Sequence, residues 1–138
     1  TGISKDVSDI VLPLGATMHM DGSCFSCVLK IAFVMGVPWS EAINVGSLMG
    51  TKLVTNEFVA YTDLIPMMQN GILSAKSVVI ASFALCGFAN FGSVAIQLGG
   101  IGEIAPNRKE DLAKLGVKAL ICGTLASYLS ATIAGIIS

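Results

Sequence analysis

Charge is what this sequence has least of. Of its 138 residues only 8 are Lys or Arg and 9 are Asp or Glu, 12% in all, about half the share found in an ordinary soluble domain. A water-facing surface is hard to build from so few charges. The net charge of −1 supplies no basic patch to neutralise phosphates, which excludes nucleic acid as a partner. Histidine is nearly absent: His19 is the single one, so general-base chemistry has few candidates. No Ser/His/Asp or paired-carboxylate arrangement accompanies it, and the chain does not read as an enzyme. Cysteine supplies no framework either, at 4 residues. Cys24 and Cys27 have redox or zinc spacing, but no second pair follows and no βαβ pattern surrounds them, so they read as small core residues. The run Gly100-Ile101-Gly102 mimics a dinucleotide loop, yet no strand precedes it and Pro106 follows closely, so no nucleotide cofactor is inferred.

What is present is apolar. Hydrophobic residues make up 54% of the chain and the mean hydropathy is +0.79. Two charge-free runs stand out, 26 residues between Lys76 and Glu103 and 20 residues from Ala119 to Ser138. Each is long enough to span a bilayer. The connector between them carries Arg108, Lys109, Lys114 and Lys118, four of the eight basic residues. By the positive-inside tendency it is cytoplasmic and Ser138 points outward. In the earlier half Asp21, Lys30, Glu41, Lys52, Glu57 and Asp63 recur every 5 to 11 residues, so no clean span can be cut there. That pattern fits re-entrant or interrupted helices lining a protein-enclosed cavity.

The expected architecture is all-α: an integral membrane helical bundle fragment with a re-entrant hairpin and a broken transmembrane helix. An irregular apolar helix is expected at 10–36, the hairpin at about 40–68 with a start at Pro38 or Ser40, and a turn at Asn70-Gly71 with Ser74 as N-cap. The broken helix follows at about 76–102, interrupted around Gly87, Asn90, Gly92 and Ser93, then an amphipathic connector at 106–116 and a last helix at about 117–138. Lipid is the expected surroundings.

Three polar clusters are candidates for a site. Glu57 is a carboxylate inside apolar sequence, costly at membrane depth unless paired or hydrated, and hence a ligand candidate; the alternative is an ion pair with Lys52 that neutralises both. At the break, Phe88, Asn90 and Ser93 offer a ring, an amide and a hydroxyl to a polar ligand with a flat ring. Alternatively Asn90 and Ser93 only satisfy backbone groups freed by the neighbouring glycines. Asp21 beside His19 is a candidate cation ligand, or the two are simply hydrogen-bonded to each other.

From about Ile31 onward the chain resembles the C-terminal part of the concentrative nucleoside transporters. The resemblance rests on MGVPWSEA at 35–42, GTKLVTNEFVAY at 50–61, FALCGFANFGSVAIQLGGIG at 83–102, APNRKEDLAKLG at 105–116 and ALICGTLASYLSATIAG at 119–135. It implies that Glu57 binds the ribose from a helical hairpin, that Phe88 contacts the nucleoside, and that Asn90 and Ser93 hydrogen-bond the sugar. It further implies a multi-pass protein of the plasma membrane (bacterial inner membrane), coupled to a cation, sodium in this family, and assembled as a homo-oligomer, a homotrimer. VLPLGATMHMDGSCF at 11–25 resembles instead a helix of the dicarboxylate and amino-acid cation symporters, with His19 and Ser23 where that motif has Asn and Thr. A junction near 30–36 would separate a symporter-like segment 1–36 from a nucleoside-transporter region 37–138. The reading is therefore cation-coupled nucleoside transport by alternating access, here as a partial or chimeric chain. The alternatives are a symporter fragment and a non-transporting membrane fragment.

Overall fold

The computed structural model describes residues 21–138, with side chains from Cys27 onward; His19 and the side chain of Asp21 lie outside that range. Among the described residues all regular structure is helical: α1 (Asp21–Val34), α2 (Trp39–Val54), α3 (Glu57–Gln69), α4 (Ala75–Leu85), α5 (Phe91–Ile104), a 3-10 turn (Pro106–Arg108) and α6 (Lys109–Ile137).

The breaks between helices follow from local chemistry. Gly36 and Gly71 take φ of 99° and 66°, the left-handed conformation that closes a helix without a Cβ penalty. At each, the glycine N–H and the next N–H turn back to carbonyls of the last turn, as in Val37 to Ala32 (3.2 Å) and Ile72 to Met67 (3.0 Å). The chain then swings by 117° between Cys27–Val34 and Trp39–Val54, with the Phe33 and Trp39 rings packed edge to face across the corner. Side-chain caps open the next three elements: Asn56 accepts from the Val59 N–H, Ser74 from Ser77 and Asn90 from Ser93, each filling one donor that a helix start leaves unpaired.

The bundle is built around α4. Its tightest neighbours are α2 and α6, and the buried core runs through Val45, Leu48 and Met49 of α2, Ile80, Ala81, Ala84 and Leu85 of α4, and Ala131 of α6. Helices α2 and α4 run in the same direction, since Glu41 meets Ser74 at one end and Lys52 meets Ala84 at the other. Helix α6 runs back along the whole broken span. A Cβ added at Gly116 would meet Val94 at 2.9 Å, one at Gly123 would meet Ala89 at 3.2 Å, and one at Gly135 would meet Ile80 at 2.8 Å. Ala119, Gly123, Ser127, Ala131 and Gly135 recur every four residues, a stripe of small side chains that lets backbones approach where dispersion rather than the hydrophobic effect holds helices together.

Neither half of the broken span crosses a bilayer alone, at 11 and 14 residues, or about 16 and 21 Å at the helical rise. The run Pro106–Ile137 is long and apolar enough to do so. The last helix, expected from about 117, begins at Lys109, and connector and span are continuous. Pairs such as Lys114 with Glu110 at 2.6 Å and Arg108 with Asp111 at 2.7 Å allow the charged turns to stay helical. The Glu110 carboxylate accepts from the Lys114 ammonium and raises its pKa above the usual lysine value.

Candidate functional site

Four helix ends converge at the break. Helix α2 ends at Val54 and α3 begins at Glu57, so the hairpin tip is only Thr55 and Asn56. Helix α4 ends at Leu85 and α5 begins at Phe91. The tip lies against this gap because both arms of the hairpin hold the end of α4: the Lys52 ammonium donates to the Ala84 carbonyl at 2.9 Å, and the Tyr61 hydroxyl donates to the Ser82 carbonyl at 2.8 Å.

Glu57 and Asn90, 33 residues apart, are brought into direct contact, the Asn90 amide donating to Glu57 Oε2 at 2.9 Å. The orientation of that amide follows from its other bond. Its oxygen accepts the Ser93 N–H at 2.7 Å, so its NH2 is left to face the carboxylate. Asn90 is 2% exposed; its oxygen caps α5 and one amide hydrogen goes to Glu57. It satisfies a backbone N–H freed at the break, as the alternative for it had it, and it also touches Glu57.

Electrostatics favours this placement. Glu57 is the first residue of α3 and reaches the first turn of α5 through Asn90, so its negative charge sits by two helix N-termini. Lys52, 3% exposed, points its positive charge at the carbonyl end of α4, the end a cation prefers. The ion pair weighed for Lys52 and Glu57 is not formed: among the described residues no salt bridge joins them, because the Ala84 carbonyl takes the ammonium.

Phe88 and Ser93 line an apolar cleft of about 420 Å³ between α5 and α6, with Val94, Gln97, Leu112 and Gly116; Glu57 and Asn90 are not among its lining residues, and Ser93 joins them through its N–H on Asn90. The Phe88 ring is 78% exposed. Phe58, which follows Glu57, is likewise exposed at 73%, giving the tip and the break an aromatic ring each. Asp21 opens α1 in sequence, and its side chain belongs to the undescribed part.

Several contributors were not evident beforehand. Glu41 Oε2 accepts from the N–H and hydroxyl of Ser74 at 2.9 and 3.0 Å, tying the base of the hairpin to the start of α4. Ser127 on α6 donates to the Cys86 carbonyl inside the break at 2.9 Å. Tyr61 stands in the block GTKLVTNEFVAY, four residues after Glu57, and that same-face spacing was the available signal for it. Glu41 and Ser127 offered none, as their partners are 33 and 41 residues away.

The family profile described as the C-terminus of Na+ dependent nucleoside transporters matches residues 16–135, and so takes in part of the segment that resembles a symporter. An uncharacterized transporter of Bacillus subtilis, YutK, is 57% identical over 105 residues, 76% of this chain and 26% of that protein. A putative nucleoside permease of Escherichia coli, NupX, is 54% identical over 106 residues, again 76% of this chain and 26% of the relative. The chain thus spans about a quarter of the length of these relatives. Among solved structures, CNTnw in an inward-facing substrate-bound state superposes with a TM-score of 0.73 at 36% identity, covering 93% of this chain and 38% of that one.

Proposed function

Since the chain belongs to the Na+ dependent nucleoside transporter family and corresponds to its C-terminal part, we propose that it forms the ribose-recognising side of a nucleoside carrier of the plasma membrane. The observation that carries this is the Asn90 to Glu57 contact of 2.9 Å, which joins a hairpin tip to a helix break. A carboxylate accepts from vicinal hydroxyls, the second hydrogen of the Asn90 amide is a donor to a sugar oxygen, and the Ser93 hydroxyl is both. Phe88 would cover the ring of the nucleoside. The transported group needs no covalent change, so neither a nucleophile nor a prosthetic group enters the scheme. Sodium is the coupling cation and is cargo, as the family's description supports. Transport would proceed by alternating access around this midplane site, in a homotrimer by family resemblance.

The test is Glu57→Gln in the full-length transporter carrying this segment. Loss of a charge-assisted hydrogen bond to a hydroxyl removes about 1.5–3 kcal/mol, or about 10- to 150-fold in uridine affinity. A folded variant that binds uridine like the wild type would return Glu57 to a structural role.

A further inference from the structure

The block GTKLVTNEFVAY brings two donors, Lys52 and Tyr61, to the same helix end. Lys52 is five residues before Glu57, on one arm of the hairpin; Tyr61 is four after it, on the other. Their acceptors, Ala84 O and Ser82 O, lie in the last turn of α4. Glu57 is therefore suspended between two anchors on one helix end, and its partner Asn90, five residues past that end, caps the helix that follows.

We propose that Lys52 and Tyr61 are positioning residues that clamp the C-terminal carbonyls of α4 and thereby set where the Glu57 carboxylate sits relative to Asn90. The physical basis is the interruption itself. Carbonyls in the last turn of a helix lack their intrahelical partners; the Ala84 carbonyl takes the Lys52 ammonium instead, while the Ser82 carbonyl accepts both the Cys86 N–H at 3.1 Å and the Tyr61 hydroxyl. Lys52 is almost fully buried at 3% exposed, where its ammonium must find acceptors. The match is also directional. An ammonium is favoured at the carbonyl end of α4 and disfavoured at the N–H end of α5, while a carboxylate has the opposite preference. Opposite charges five residues apart on the hairpin thus meet opposite ends of the gap, and this fixes the register of the tip. Tyr61 adds a neutral bond from the second arm, so the tip cannot pivot about Lys52 alone. The α2 arm is held again at its base by Glu41 on Ser74.

This proposal rests on the reading of Glu57 as a ribose ligand, and the experiment separates the two. In the full-length transporter carrying this segment, purified in detergent with sodium, equilibrium binding of uridine is compared with that of 2′,3′-dideoxyuridine, which lacks the two vicinal hydroxyls. Lys52→Met should weaken uridine binding about tenfold or more, leaving dideoxyuridine within about twofold, because a misplaced carboxylate harms only the ligand that uses it. Tyr61→Phe, which deletes one hydroxyl and preserves packing, should shift the same ratio by about two- to fivefold. Lys52→Arg, which keeps the cation, should recover part of the ratio. If Lys52→Met does not fold, Tyr61→Phe alone decides. Equal losses for both ligands, or no change in the ratio, while Glu57→Gln still selectively weakens uridine, would overturn the clamp and leave the ligand reading intact. A uridine affinity indifferent to Glu57→Gln would overturn both.

Discussion

At the scale of single residues, Gly87 shows how a break depends on one position: its φ is 118°, and a Cβ there would lie 3.1 Å from the Ser127 hydroxyl. Gly87→Ala should cost about 1–3 kcal/mol, seen as a lowered unfolding midpoint in detergent. Gly99→Ala is its counterpart. Nothing lies within 4 Å of a Cβ there, and in mid-helix the change should be neutral or stabilising by up to about 1 kcal/mol. Equal behaviour of the two variants would refute the strain at the break. The groups legible in the sequence are those whose chemistry is out of place: Glu57 is a carboxylate in apolar surroundings, Asn90 an amide within a charge-free run, and the fold joins them at 2.9 Å. The partner of Lys52 is not legible, because it is a backbone carbonyl and a carbonyl carries no letter. The same holds for the Cys86 carbonyl that Ser127 reaches.

At the scale of elements, the sequence indicated the interrupted helix because Gly87, Asn90 and Gly92 punctuate an otherwise uniform run. It divided connector from last helix by composition, whereas the backbone has no reason to stop: only Gly116 interrupts, and it is needed for closeness to Val94. The approach of α6 to α4 sets a second prediction. A Cβ at Gly135 would meet Ile80 at 2.8 Å and the Met35 carbonyl at 3.1 Å. The isoleucine tip can rotate away; the backbone oxygen cannot. Gly135→Ala should therefore destabilise by about 1–3 kcal/mol, and adding Ile80→Ala should leave part of that loss in place. Full recovery in a double-mutant cycle of unfolding midpoints would show that Ile80 alone is the obstacle.

At the scale of the whole molecule, large apolar side chains are turned outward, as contact with lipid or with further apolar protein surface requires. Ile121, Leu125, Leu129, Ile133 and Ile136 on α6 are each at least 50% exposed. The Lys/Arg cluster at 108–118 predicts orientation: reporters placed in 103–118 should report the cytoplasm, and one at Ser138 the opposite side. An outside signal from the connector would reverse the assignment. The bond between Asn90 and Glu57 bears on how a sugar would be met under the proposed reading. A carboxylate has room for more than one donor, so a sugar hydroxyl would join the amide at Glu57 without evicting it, and the second amide hydrogen would stay available to the sugar. The two polar groups hold each other in place, which leaves the binding step little reorganisation to supply. Asn90→Ala would remove that prior arrangement along with a contact, and its cost in affinity should exceed that of one neutral hydrogen bond.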